Sequence, residues 1–227
     1  IIENDTRLHD TPYHMRYGRT KNLTESRTIL RRNFSHVLTR GLGAWVAPYG
    51  DQQLLSIMSQ FNRLGEFAQN TDRSLSAEVA VFVDEESQFY EQIKYNLNLA
   101  SVSHQSLRGM TRFGAPYDLY HLNDLIDGQI PPYKLYIFLN VYRLNTIQRK
   151  KLKQELRRDG HTAVWVYAPG YINNDSSVDN MTDVTGLKFE KSDLPWPPFM
   201  HIVNYSHPVT KDIPQDLFWD FNDALGP

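Results

Sequence analysis

Val79-Ala80-Val81-Phe82-Val83 is five apolar residues in a row, set between the polar break Asn70-Thr71-Asp72-Arg73-Ser74 and the acids Asp84-Glu85-Glu86. A run this short without polar alternation is the mark of a parallel strand buried on both faces. The same reading extends outward on the C-terminal side. Tyr117 to Leu122, Lys134 to Leu139 and Thr162 to Tyr167 read as three more strands. Between the strands lie helical patterns. Phe89, Ile93 and Leu97 recur every four residues, and a second helical stretch ends at Gly114 with Pro116 beyond it. Asn145 starts a helix carrying Ile147, Leu152 and Leu156 that stops at Gly160. Asparagine is a favoured N-cap, and glycine a favoured C-terminal stop. Strands joined by helices of this length demand a parallel sheet with right-handed crossovers. The expectation is an α/β, Rossmann-like or flavodoxin-like domain over residues 76–210. Phe199 to Tyr205 reads as a further short strand, and 211–227 as an irregular tail or the start of another domain.

On the N-terminal side the order is also strand, helix, strand, helix. Ile1-Ile2 reads as the end of a buried strand whose partners lie upstream, followed by a long polar loop. Thr24 is the expected N-cap of a helix over 22–40, with Ile29, Leu30, Phe34, Val37 and Leu38 on its apolar face. Gly43 to Pro48 reads as a short buried strand, and Pro48-Tyr49-Gly50-Asp51 as a turn. A second helix over 52–69 carries Leu54, Leu55, Ile57, Met58, Phe61, Leu64 and Phe67. Residues 1–72 therefore read as the tail of a parallel α/β structure.

Composition narrows the chemistry. Of 227 residues, 41% are apolar and 22% charged, as in an ordinary packed protein, and the net charge is −2. With no basic stripe of the expected size, a nucleic-acid partner is not expected. No apolar run approaches the roughly 20 residues that span a bilayer, so no membrane partner is expected. The absence of cysteine removes disulfides, thiolate metal sites and thiol nucleophiles. Asn-x-Ser/Thr sequons, among them those at Asn22, Asn33, Asn174, Asn180 and Asn204, matter only in a eukaryotic secretory protein.

Several candidate constellations have plainer alternatives. Glycoside hydrolysis needs two carboxyl groups flanking the sugar, and in a barrel they stand at the carboxyl ends of strands. Glu3, with Asp5 as the fallback, sits where one such carboxylate would, and Arg7 would keep it ionised. The alternative is a loop salt bridge at a strand end. Trp45, with Tyr49 nearby, could stack on a sugar ring, or Trp45 could be a core residue between helix and strand. Asp84-Glu85-Glu86 could hold Mg²⁺ in a phosphate-accepting domain, but Asn140 stands where that chemistry wants an aspartate. Acids favouring a helix N-terminus explain the run better. No Gly-x-Gly-x-x-Gly follows Val83 and no phosphate loop occurs, so no nucleotide cofactor is expected. The run Arg149-Lys150-Lys151-Lys153 with Arg157 and Arg158 reads as a solvated helix face. Trp165, Tyr167, Tyr171 and Trp196 would be the stacking platforms if the chain were a carbohydrate-binding module.

Five stretches, read in order, carry a family resemblance. They are Glu3-Asn4-Asp5-Thr6-Arg7, Arg31-Arg32-Asn33-Phe34, Thr39-Arg40-Gly41-Leu42-Gly43-Ala44-Trp45, Val81-Phe82-Val83-Asp84-Glu85-Glu86-Ser87 and Val164-Trp165-Val166-Tyr167-Ala168-Pro169-Gly170-Tyr171. Together the chain resembles bacterial glycoside hydrolases related to the family 42 β-galactosidases. In these a (β/α)8 TIM-type barrel precedes a trimerisation domain with a class I glutamine-amidotransferase-like fold. The resemblance implies that 1–72 are the last two barrel strands with their helices and that 76–210 are the trimerisation domain. It implies a retaining two-carboxylate mechanism in the intact protein, with Glu3 the candidate nucleophile and the acid/base residue outside this sequence. Arg7, Trp45 and Tyr49 would bind substrate. The partners implied are a carbohydrate substrate and further copies of the chain, with no cofactor and no metal, in a bacterial cytoplasm or periplasm. The 227 residues alone would be inactive. Without cysteine, the amidotransferase-like domain would be the architectural version.

Overall fold

The structure is a computed structural model, and it describes residues 2–4, 6–11, 19–46, 51–72, 74, 76–90, 110–158, 160–191, 199–215 and 218–220. The chain divides into two compact units, Ile1–Leu75 and Ser76–Pro227.

In the first unit, strand β1 (Ile2–Asn4) pairs in parallel with β2 (Ala44–Val46). Helix α1 (Leu23–Thr39) lies between them in sequence, and α2 (Gln52–Gln69) follows β2. The N-cap of α1 is Asn22, not Thr24: the Asn22 side chain accepts from the Glu25 N–H at 2.9 Å. Asn22 is extended, as a cap must be, whereas Thr24 already has helical neighbours on both sides. Asp51 caps α2 by accepting from the Gln53 N–H at 2.7 Å. The two helices bury one stripe each. Leu8, Leu30, Leu54, Ile57 and Phe61 form the core, and Phe34 stacks on Phe61 with ring centroids 4.1 Å apart. The apolar set expected on α2 is wider than the face it buries, since Leu55, Leu64 and Phe67 are exposed. A groove of about 380 Å³ opens beside that Phe pair, lined also by Val37, Leu42, Met58 and Gly65.

The second unit holds a four-stranded, all-parallel sheet with helices packed on it, the Rossmann-like or flavodoxin-like α/β fold the apolar runs predict. Its strands are β3 (Val79–Val83), β4 (Tyr117–His121), β5 (Leu135–Leu139) and β6 (Thr162–Val166), in the order β4-β3-β5-β6. Alternation along each strand feeds two cores. Ala80, Phe82, Tyr136 and Phe138 face one side, where Trp165 stacks on Phe138 at 4.1 Å. Val79, Val81, Ile137 and Leu139 face the other with Met110. Burial on both faces is why the central strands β3 and β5 read as unbroken apolar runs, while the edge strands β4 and β6 are more exposed.

The helices of this unit are shorter and more numerous than the periodicity suggests. They are α3 (Glu85–Gln88), α4 (Leu122–Ile126), α5 (Thr146–Leu156) and α6 (Val178–Thr185). Phe89 is 86% exposed, so it is no part of a buried stripe, and Ile93 and Leu97 lie outside the described residues. Asn145 does cap α5, accepting from the Ile147 and Gln148 N–H groups. The helix stops at Leu156, short of Gly160, and Ile147 is exposed while Leu152 is fully buried. Helices α4 and α6 answer to no expectation. α6 carries legible end signals all the same, a Ser177 N-cap and a left-handed Gly186 at φ 75°. A two-stranded antiparallel sheet, β7 (Phe199–His201) with β8 (Phe218–Asp220), completes the described elements.

Candidate functional site

Parallel α/β proteins place their chemistry at the carboxyl ends of strands, because loops of free sequence leave the scaffold there. Each unit has such an end.

In the first unit, Glu3 and Trp45 are Cα partners in the parallel register, each one residue before the end of its strand. Trp45 is 54% exposed, so it is not a core tryptophan. Arg7 is half-buried at the start of the loop after β1, where its carbonyl accepts from the Thr20 N–H at 3.2 Å. Asp5 and Tyr49 lie outside the described residues, as does the Glu3 side chain. The structure thus brings the Glu3 and Trp45 backbones side by side at one strand end. Beside them is a feature the sequence reading did not single out. His9 Nδ1 is 2.8 Å from Ser26 Oγ, His9 Nε2 is 3.4 Å from Asp51 Oδ2, and Ser26 Oγ is 2.6 Å from Thr20 Oγ1.

In the second unit the chain passes from β3 to β4 on one side and returns to β5 on the other. The crevice for a ligand in such sheets opens where that reversal occurs, between the ends of β3 and β5. Among the described residues, polar side chains bond to one another there. Asp84, almost fully buried after β3, accepts from the Ser87 N–H at 2.9 Å and from the Ser87 hydroxyl. Ser87 Oγ in turn accepts from the Arg143 N–H at 3.0 Å. The Arg143 guanidinium pairs with Glu86 and donates to the Tyr90 hydroxyl at 3.2 Å. Burial pushes the Asp84 carboxyl above the ordinary carboxylate range, against the pull of its Ser87 hydrogen bonds. The acids after β3 therefore cap a helix and anchor Arg143, as their position suggests. Among the described residues no group of three or more metal-ligating side chains occurs.

The backbone at this edge is unusual. Asn140 after β5 has φ 53°, and Tyr167 and Ala168 after β6 have φ 62° and 38°. Left-handed backbone at residues with a Cβ costs about 1–2 kcal/mol each and persists only where neighbours enforce it. Arg149 braces the turn after β6 through the Gly170 carbonyl. The expectation of a solvated basic face fails at this residue, which is only 4% exposed. Its guanidinium donates to the carbonyls of Leu144 at 2.8 Å, Asn180 at 2.6 Å and Gly170. Burial lowers its pKa, partly countered by Asp183 and Asp175. Helical spacing carried the signal: Arg149 precedes Leu152 and Leu156 by three and seven residues, on the buried stripe itself. Asparagine is among the few non-glycine types that favour left-handed backbone, so Asn140 suits its place, whereas nothing in the residue types of Tyr167 or Ala168 announces it.

Of the aromatic platforms, Trp165 is packed into the core, Tyr167 is partly exposed with its ring edge-on to Tyr142 at 5.6 Å, and Tyr171 is half-buried. Trp196 lies outside the described residues.

The fold defines an α/β protein whose second unit is a Rossmann-like or flavodoxin-like parallel-sheet domain. No family model matches the chain, and no curated protein matches it. Among solved structures, a β-galactosidase from Bifidobacterium adolescentis is similar to it at 21% identity and a TM-score of 0.34. That match covers 43% of this chain and 43% of the β-galactosidase chain.

Proposed function

We propose that the chain is part of a retaining glycoside hydrolase of β-galactosidase type, with the first unit contributing to the sugar site and the second unit serving assembly. The observation that carries the first half is the Glu3–Trp45 pairing at the carboxyl ends of two parallel strands, each followed by a helix. It gives a carboxylate-bearing residue and an exposed aromatic the placement a sugar subsite requires. In the intact protein, Glu3 attacks the anomeric carbon while a second carboxyl group, from outside this sequence, protonates the leaving oxygen. Water then hydrolyses the glycosyl ester, with that same second group as base. Arg7, Trp45 and Tyr49 line the subsite, with Asp5 the alternative nucleophile.

The test is an aryl-glycoside panel assayed with the intact protein and its Glu3→Ala variant, with and without azide. Turnover in the wild type, its loss in the variant, and azide capture as a glycosyl azide of inverted configuration are the expected results. Undiminished turnover in the variant removes Glu3 from the chemistry.

A second reading concerns the α/β unit alone. Around its strand ends Arg143 is bonded to Glu86, Ser87 and Tyr90, which favours an architectural, homo-oligomeric role over small-molecule binding. Light scattering of the intact protein should give a multiple of the subunit mass, and a monomer would count against this role.

A further inference from the structure

The loop after β1 and the residues that open α2 belong to different strand ends, yet one imidazole spans the gap between them. The inner side of that link is rigid. Leu8 is fully buried in the core, the His9 N–H donates to Ser26 Oγ at 3.1 Å, and Ser26 and Thr20 are buried. The base of the loop is pinned as well: Arg19 Nη1 donates to the Thr11 carbonyl at 3.0 Å, and the Thr20 N–H to the Arg7 carbonyl. On the outer side Asp51 does two jobs. One oxygen caps α2 through Gln53, and the other faces His9 Nε2 at 3.4 Å. Ser26 is too buried, and too fully engaged with Thr20, His9 and the Asn22 carbonyl, to be a nucleophile. The three residues share a catalytic triad's composition without its accessible hydroxyl.

We propose that His9 is a positioning residue: through Ser26 on one side and Asp51 on the other, it fixes the stretch that carries Arg7 against the N-terminus of α2. The geometry supports the tie itself. Its role rests on the glycosidase reading above, in which those two segments border the sugar. Histidine suits the task because its two ring nitrogens point to opposite sides and can engage two partners at once. A shift of about 1 Å in such a border is enough to cost roughly a hundredfold in rate or binding.

The test separates the two halves of the link. His9→Asn keeps a polar atom where Nδ1 stands, toward Ser26, and loses the reach to Asp51. His9→Gln keeps a polar atom near the Nε2 position and loses Ser26. Asp51→Ser keeps a cap for α2 but has no second oxygen for His9. Amide hydrogen exchange of Gln53 to Leu55, and of the Arg7 to Thr11 segment, is measured on the intact protein together with aryl-glycoside kinetics. Both His9→Asn and Asp51→Ser should speed exchange at both segments and raise KM about tenfold, with kcat within about threefold of wild type. His9→Gln should preserve the Gln53 to Leu55 protection. Unchanged exchange in His9→Asn overturns the tie, and faster exchange with unchanged KM overturns the positioning role. If the wild type cleaves no glycoside, the glycosidase reading is what has failed, and the exchange pattern still decides whether the tie exists.

Discussion

The carboxyl ends of the two sets of parallel strands are built on opposite principles. Among the described residues after β1 and β2, an exposed Trp45 stands beside Glu3, and His9 links the loop after β1 to the start of α2. After β3, β5 and β6 the described polar groups bond to one another. Arg143 pairs with Glu86 and Ser87, Asp84 and Ser87 are buried, and Arg149 gathers the carbonyls of Leu144, Gly170 and Asn180. The same strand-end architecture thus leaves a large aromatic exposed in one unit and ties its described polar groups together in the other. Strain and buried polarity do not by themselves mark a binding site: in the second unit both belong to a brace.

That contrast breaks first if Arg149 is dispensable. Arg149→Ala should destabilise the protein by about 3 kcal/mol, because it leaves several buried carbonyls without donors. Chemical denaturation of the intact protein measures it, and a loss below about 1 kcal/mol would mean that water replaces the guanidinium and that the edge is open. Next in size is Gly170→Ala. A Cβ there would sit 2.9 Å from Val184 Cγ2 and 3.0 Å from Leu144 Cδ1, at a backbone φ of 61°. Both contacts are side-chain ends, so the neighbours can yield in part, and a cost of about 2 kcal/mol is expected.

Asp84 sharpens the contrast through pH. Its carboxyl is raised by burial, so the folded protein holds this proton more tightly than the unfolded chain does. As pH climbs from the ordinary carboxylate value through the raised one, the folded state must ionise a buried group, and stability falls. Asp84→Asn removes that decline while keeping an oxygen for the Ser87 N–H. Unfolding curves from pH 3.5 to pH 7 should therefore converge or cross, with the variant gaining on the wild type as pH rises. Parallel curves would mean that Asp84 is solvated and the crevice open.

How much of this was legible in the sequence follows from what determines each feature. Strands β3 and β5 were legible because burial on both faces leaves apolar and aromatic runs at Val79–Val83 and Leu135–Leu139, whereas β4, with Asp118 and His121, and the more exposed β6 were legible from β-favouring residues set between helical stretches. The cap Asn145 was legible because capping is local chemistry. Asn22 was passed over for Thr24 because both suit the role, and only the backbone conformation separates them. The short helix α4 carries too few residues for a period to show. At the open strand end, Glu3 and Trp45 were legible as residue types, but their shared register is a property of strand pairing and is not local. His9, Ser26 and Asp51 lie 17 and 25 residues apart in the chain, with no spacing rule to join them. Left-handed backbone suits Asn140 by residue type, but nothing local in Tyr167 or Ala168 foretells it there.

The smallest effect on stability is expected at the most exposed member of the open end. Trp45 carries more than half of its surface to solvent, so Trp45→Ala removes little buried area and should shift stability by no more than about 0.5 kcal/mol. Paired beside Glu3, Trp45 is the residue that the glycosidase reading puts against the sugar. On the glycosidase reading the same substitution raises KM for the aryl glycoside by about tenfold or more, since a stacking aromatic is worth on the order of 1–2 kcal/mol in such contacts. Thermal unfolding and initial-rate kinetics on one preparation of the intact protein read both numbers. A large loss of stability would make Trp45 a packing residue, and the open end would then be braced like the other.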